Sequence, residues 1–326
     1  MGVGEVRWAP LQADDAVRVR ALLTASEQFD RAGPRILHGW RHQLAPIGDE
    51  QTDTLAARTA DGRLVALGWV SARPYDDPPR RVFLAGTVHP DYRGRGLGRR
   101  VLDWQLDAAR RWQREIGGDP ITVVASTAPL PDVHALLSCT GFERERVFAE
   151  LSLPLPRDEG PGPNPAIAGA TLVAFSADRA EEVRVVLNTA FAEHWGTRVL
   201  QTEPWQAVLG SETFRPAWSR LALDGEDRVV GFVLNSAAPH PTYGRVGWTD
   251  QLGVLPRWRG RGLGAALMRD SLDVFEAKGL ALAGLGLDTQ NPFGAPALYA
   301  SLGYRPGFDV HLFTRTEPAL APPGSR

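Results

Sequence analysis

The chain has 326 residues, room for two domains that would each bury ~70 % of their unfolded surface. Hydrophobic residues at 43 % and charged residues at 23 % are ordinary globular values and exclude a disordered or fibrous chain. A net charge of −2 and a pI near 6.4 argue against a nucleic-acid partner, which calls for a basic excess.

Of the 36 basic residues only Lys278 is lysine, a bias that a GC-rich genome produces unaided. Phosphate recognition can therefore be argued only for particular arginines. Cys139 is the sole cysteine, which rules out an intramolecular disulfide and fits a reducing cytoplasm. The opening MGVGEVRWAP lacks the basic start and apolar core of a secretion signal. The longest apolar or glycine run, residues 279–287, falls far short of the ~20 needed to cross a bilayer. A soluble cytoplasmic protein without a membrane partner is expected.

His38 and His42 stand four apart, but Gly39 lies between them and no third ligand is near, so no metal site is expected. Residues 62–70 and 81–88 read as strands, the second running into TVHPDYRGRGLG at 87–98. A helix follows, with Leu97, Val101, Ala108 and Trp112 on one face. Cys139 falls beside the Thr140-Gly141-Phe142 turn and is expected to be buried and inert. Residues 154–165, PLPRDEGPGPNP, hold five prolines and two glycines and read as a semi-rigid linker. This places the domains at 1–153 and 166–326. The second begins with a helix over 180–191, whose face is Val183, Val186, Leu187 and Ala190. Strands follow at 227–235 and 246–254, then GVLPRWRGRGLG at 253–264. Leu263, Leu267, Met268, Leu272 and Phe275 mark the next helix. A strand at 283–288, a short helix at 295–301 and a strand at 311–315 close the chain. Strands interleaved with helices give a mixed α/β sheet. The ten tryptophans are open to core or pocket roles.

The segments 87–98 and 253–264 are identical at eight of twelve positions, at a constant offset of 166. Thr140-Gly141-Phe142 and Leu302-Gly303-Tyr304 continue the match, so the halves are diverged copies of one fold. In each copy a proline ends the strand and three glycines leave the backbone uncovered before a helix begins. The first N–H groups of that helix have no partner within it, and the positive end of its dipole stands behind them. That is an anion site suited to a pyrophosphate, to which Arg93, Arg95, Arg259 and Arg261 can add charged donors. A Walker loop is excluded because Gly279 and Leu280 follow the only lysine. The dinucleotide fingerprint has a different glycine spacing. An arginine-glycine RNA tract would be longer and disordered.

R-x-x-G-x-G/A after a strand ending in V-x-P resembles the acyl-CoA loop of the GNAT superfamily of N-acyltransferases. Arg93–Gly98 and Arg259–Gly264 both match it in full, and LDTQNPFGAPALYASLGY at 287–304 looks like that family's later strand–helix segment. The resemblance covers nearly the whole chain as two tandem domains, an arrangement shared with mycothiol synthase and its relatives. It implies two GNAT folds, each a mixed, largely antiparallel sheet with a splayed central strand pair, flanked by helices. It also implies acetyl-CoA as acyl donor, held by the loop residues Arg259, Gly260, Arg261, Gly262, Leu263 and Gly264 and by strand residues Leu252, Gly253 and Val254. The first-copy equivalents are Arg93, Gly94, Arg95, Gly96, Leu97 and Gly98, with Gly86, Thr87 and Val88. Asn291 would bind the pantetheine, and Tyr299 would protonate the leaving thiolate.

The copies are not equivalent. Leu137 and Pro129 stand where the second copy has Tyr299 and Asn291. The second domain is therefore expected to be catalytic, and the first to bind acyl-CoA or only to brace it. Candidates for the base that relieves the attacking ammonium of its proton are Asp250, Glu193, Asp288 and His194; Glu193 and His194 lie in a segment similar to one near the acceptor amine in tandem members. The expected function is direct acetyl transfer to a primary amine of a small molecule, by a monomer or homodimer. The alternatives are a mycothiol synthase-like acetylation of a cysteinyl pseudodisaccharide and a non-catalytic acyl-CoA sensor.

Overall fold

The computed structural model describes residues 6–30, 52–72, 80–158, 164, 166–193, 199–240, 243–291 and 293–320. The elements in chain order begin with β1 (Arg7–Ala9), α1 (Ala16–Asp30), β2 (Thr52–Arg58), β3 (Leu64–Ala72) and β4 (Arg80–Val88). There follow α2 (Leu97–Glu115), β5 (Ile121–Thr127), α3 (Pro131–Ser138), β6 (Glu143–Pro154) and β7 (Ala170–Ala174). Next come α4 (Ala180–Ala190), α5 (Thr202–Leu209), β8 (Arg220–Asp224), β9 (Val229–His240) and β10 (Gly244–Val254). The chain closes with α6 (Leu263–Ala277), β11 (Leu282–Asp288), α7 (Ala295–Ser301) and β12 (Arg305–Glu317). No helix among the described residues is long and apolar enough to cross a membrane.

Two compact units emerge, and they are not the two halves of the sequence. One comprises Met1–Val147 with Phe308–Arg326, the other Phe148–Gly307. In the first unit the strand order is β1-β2-β3-β4-β5-β12, with His311–Glu317 of β12 antiparallel to β5. In the second the order is β7-β8-β9-β10-β11-β6, with Phe148–Pro154 of β6 antiparallel to β11. Each sheet is thus completed by a strand that lies beyond its own loop and helix in the sequence, the last strand of the other copy.

Each sheet has one parallel pair at its centre, and each pair splays. β4 pairs with β5 only as far as Leu84↔Ala125, and β10 with β11 only as far as Thr249↔Leu285. Both leading strands run on for several residues without that neighbour. β4 pairs with β3 without a break in register, whereas β10 carries a bulge at Asp250, between Thr249↔Asn235 and Gln251↔Leu234.

The sequence periodicity explains the layers. Leu263, Leu267, Met268, Leu272 and Phe275 on α6 are wholly buried against β6, β9 and β11. Each such side chain contributes ~1.5–3 kcal/mol. Leu102, Leu106 and Ala109 of α2 do the same in the first unit. Trp69, Trp205 and Trp218 are core residues. Cys139 corrects its expectation: it is exposed, because it caps the C-terminus of α3, its Sγ donating to the Leu136 carbonyl at 3.2 Å and accepting from Arg99 of α2 at 3.7 Å. His38 and His42 lie outside the described residues.

Candidate active site

In the second unit the splay opens into a cavity of 410 Å³. Its walls are the free end of β10 from Thr249 to Val254, the loop residues Arg259, Gly260 and Gly262, the start of α6, the end of β11, and Asn291, Leu298 and Tyr299. Nine of the ten residues expected to hold acyl-CoA here line it; the tenth, Arg261, stacks 4.9 Å from the ring of Trp258, itself part of the wall.

The loop geometry follows from glycine. Gly260 and Gly262 have φ of +73° and +81°, a region that L side chains enter at a cost of roughly 1–2 kcal/mol. A Cβ on Gly260 would meet nothing within 4 Å, so the demand there is conformational and the surface stays bare. Gly262 caps α6, and Leu263, Gly264 and Ala265 present the first turn of that helix to the cavity. Bare backbone, a helix N-terminus and an unpaired strand edge in one wall fit an acyl-CoA.

Arg259 does more than wait for an anion. Its Nε donates to the Val254 carbonyl at 3.3 Å and its NH2 to the Ala190 carbonyl at 2.8 Å, tying the end of β10 to the end of α4. Its guanidinium also stacks 4.3 Å from the ring of Phe293. No carboxylate pairs with it among the described residues, so its charge stays available to the loop.

Two ionisable groups in the wall are displaced from their ordinary range. The Asp250 side chain is exposed along the cavity, yet the protein packed around it withdraws enough water to push its carboxyl up to about 7. The Ser236 hydroxyl, donating to Oδ1 at 3.1 Å, works in the opposite direction. Tyr299 is buried, its ring edge-on to Tyr304 at 5.9 Å, and desolvation raises its phenol to about 12. It therefore keeps its proton throughout the physiological range. A carboxylate titrating near neutrality and a protonated phenol in one wall are the complement of a base and an acid.

The other candidates separate from this pair. Asp288 lines the cavity, but its Oδ1 accepts from Gln290 N at 3.0 Å and its carbonyl from Asn291 N at 3.0 Å, so it builds the turn after β11. Asn291 lines the cavity, and its Oδ1 accepts from Phe293 N at 2.8 Å. Glu193 is exposed, two residues beyond Phe191 in the cavity wall. His194 lies outside the described residues.

Sequence reading passed over a buried polar cluster behind the bulge. The Asn235 amide donates to the Trp218 carbonyl at 2.7 Å and to Ser271 Oγ at 2.9 Å, and Thr249 Oγ1 donates to Asn235 Oδ1 at 2.9 Å. Polar Asn-Ser at the end of the apolar run VVGFVL was the available signal.

In the first unit the same loop is differently tied. Gly94 and Gly96 have φ of +69° and +81°, and Gly96 caps α2 as Gly262 caps α6. Leu97 is buried, a Cβ on Gly98 would come within 3.5 Å of Leu136 and 3.8 Å of Val88, and Arg95 stacks 5.2 Å from Tyr92. At Gly86 a Cβ would meet the Leu67 carbonyl at 2.9 Å. Arg93 Nε donates to the Val88 carbonyl at 3.0 Å, as its counterpart does to Val254. Its NH1 and NH2 however form a two-pronged ion pair with Asp30, NH2 at 2.8 Å. Thr87 donates to Ser26 at 2.9 Å. Leu137 is core, and Leu84, at the 166-residue offset from Asp250, is buried.

Comparison with known proteins agrees with this architecture. A family model described as a GNAT acetyltransferase domain matches residues 218–306, and one described as the GNAT acetyltransferase family matches 18–121. The chain belongs to the GNAT acetyltransferases and is a tandem-domain acyltransferase of that family. It is 31 % identical over 307 residues to a mycothiol acetyltransferase of Salinispora tropica, covering 90 % of this chain and 91 % of that protein. A mycothiol acetyltransferase of Thermobispora bispora is 33 % identical over 252 residues, 73 % of this chain and 76 % of its own. Among solved structures, an N-acetyltransferase from Sphaerobacter thermophilus superposes with a TM-score of 0.78 at 21 % identity, over 97 % of this chain and 98 % of that one. A tandem GNAT protein from the clavulanic acid biosynthesis pathway superposes with a TM-score of 0.67 at 19 % identity, over 98 % and 100 %.

Proposed function

We propose that the second unit transfers an acetyl group from acetyl-CoA to the primary amine of a small molecule. The observation that carries this is the meeting of Asp250 and Tyr299 in one wall with the glycine loop. The pyrophosphate lies on the bare backbone of 259–264 and the first turn of α6, with Arg259 nearby. The pantetheine runs along the free edge of β10 toward Asn291. Asp250 takes a proton from the acceptor's ammonium, the amine nitrogen bonds to the thioester carbonyl carbon, and the C–S bond breaks. Tyr299 donates its proton to the departing sulfur, and the proton that the acceptor nitrogen sheds as the amide forms restores the phenol, giving an amide and free CoA. Glu193 serves amine binding at the mouth.

The first unit, in this reading, is not catalytic. Its loop 93–98 is a second, weaker acyl-CoA site, because Asp30 neutralises the Arg93 fork. The relatives that match over most of the chain favour a cysteinyl pseudodisaccharide as acceptor, a mycothiol synthase-like activity.

Thiol release from acetyl-CoA against a panel of amines, including amino sugars, polyamines and a cysteinyl pseudodisaccharide, tests both statements. Turnover with one class and not the others identifies the acceptor. Binding of acetyl-CoA without thiol release across the panel would favour the sensor over the enzyme.

A further inference from the structure

The base reading of Asp250 leaves a question that the geometry answers: which oxygen takes the proton, and what holds it there. Asp250 is the residue left over in the bulge of β10, with no cross-strand partner. Its carboxylate would be free to rotate but for one contact. Ser236 Oγ donates to Oδ1 at 3.1 Å, and no other hydrogen bond reaches the carboxylate among the described residues.

Ser236 itself is held from both sides. Its backbone pairs with Trp248 of β10 and, on the opposite edge, bridges to Phe214. Its flanks are pinned as well: Arg215 N donates to the Asn235 carbonyl at 2.9 Å and Ala237 N to the Thr213 carbonyl at 2.8 Å. The preceding side chain, Asn235, is locked through Thr249, Trp218 and Ser271. Ser236 is 5 % exposed, so water does not compete freely for its hydroxyl.

We propose that Ser236 is a positioning residue for Asp250: by occupying Oδ1 it aims Oδ2 at the cavity as the proton acceptor and favours the ionised carboxylate. This rests on the reading of Asp250 as the base. Of the other ionisable groups, Asp288, Tyr299 and Arg259 line the cavity, Tyr304 lies edge-on to Tyr299, Arg261 stacks on Trp258 of the wall, and Glu193 lies two residues beyond Phe191; the charged residues of α4 and α6 and Arg245 of β10 do not line it. Two forces act on the Asp250 proton: desolvation by the surrounding protein, which retains it, and the Ser236 hydroxyl, which releases it. Removing the hydroxyl leaves that desolvation unopposed, so the carboxylate holds its proton to higher pH.

The test follows the Asp250 carboxyl directly, by carbon NMR of the full chain labelled with carboxyl-13C aspartate, with Asp250→Asn to assign the signal. In the native protein the midpoint is expected near 7. In Ser236→Ala it is expected about one pH unit higher, the scale of one hydrogen bond to a charged group, and Ser236→Thr should return it. The acid limb of kcat for the fastest panel amine should move by the same amount, with the plateau above both midpoints within about threefold of native. Should Ser236→Ala fold poorly, Ser236→Cys offers the same comparison with a weaker donor. An unmoved Asp250 midpoint in a folded Ser236→Ala or Ser236→Cys protein overturns the proposal. A midpoint that moves while Asp250→Asn retains full turnover leaves the coupling intact and removes Asp250 from the mechanism.

Discussion

The two glycine loops share eight of twelve residues and nearly the same backbone torsions, yet their arginines end in different places. Arg93 is clasped by Asp30 at the end of α1, whereas Arg259 reaches the uncharged carbonyl of Ala190 at the end of α4. The first loop is charge-neutral at its arginine and the second is not. Strand β4 pairs smoothly with its neighbour and has buried Leu84 where β10 bulges at Asp250. Gln105 of α2 shows the same substitution of roles: its amide donates to the Trp69 and Ala85 carbonyls at 2.9 and 2.7 Å. At the matching position of α6 is Ser271, which accepts instead from Asn235. A duplicated scaffold thus keeps its backbone while polar groups near the splay are reassigned: Asp30 and Gln105 tie the first copy together, and the bulge of the second sets Asp250 on the cavity.

The comparison is most exposed at position 299. Tyr299→Phe should lower kcat by ~10²–10⁴ with acetyl-CoA affinity nearly unchanged, since the ring still packs and only the proton donor is lost. Leu137→Ala, its counterpart, should cost ~2–5 kcal/mol of stability, with kcat per folded molecule unaltered. Rates normalised to folded protein by thermal melts check both, and a native kcat in Tyr299→Phe would end its assignment as the acid.

Next in size is the Arg93–Asp30 pair. Arg93→Ala leaves a largely buried carboxylate without its partner and should destabilise the protein by ~1–3 kcal/mol in denaturant unfolding. Arg259→Ala should instead raise the KM for acetyl-CoA. If Arg93→Ala weakened acetyl-CoA turnover as much as Arg259→Ala, the two loops would not differ as described.

Gly96→Ala and Gly262→Ala probe the loops themselves. Both residues sit at φ +81°, so each change should cost about 1 kcal/mol of folding free energy. Only Gly262→Ala should also weaken acetyl-CoA at the site that calorimetry shows to be the tighter one.

The smallest effect sets stability against activity. Desolvation by the surrounding protein raises the Asp250 carboxyl to about 7 although the side chain is exposed along the cavity, so between its unfolded value of 3.8 and that point the folded state binds more protons than the unfolded one. Stability is therefore lost as pH rises through this window, while the rate rises as the base ionises. Asp250→Asn should raise the melting temperature at pH 8 by about 2–4 °C, a figure discounted for screening of the exposed side chain, and leave it unchanged at pH 4, although it removes the proposed base. Equal gains at both pH values would mean that the charge is not the cause.

Much of this was written locally in the chain. The strand–loop–helix units are fixed by short-range physics: proline stops a strand, glycine alone tolerates the left-handed turn, and a 3.6-residue apolar period buries one helix face. Those rules placed a short helix at about 295–301, where Ala295–Ser301 forms one, and made both loops candidates, whereas Tyr299 and Asn291 came from the resemblance of residues 287–304 to the GNAT family. What the tertiary structure decided depends on partners distant in sequence. Nothing near Arg93 announces Asp30, 63 residues earlier, and nothing near Asp250 announces Ser236. A bulge is a mismatch between two strands and belongs to neither alone. The closing strands follow the same logic. The strand at 311–315 read as closing the second copy, and only hydrogen-bond pairing showed that residues 311–317 complete the sheet of β5 and residues 148–154 that of β11.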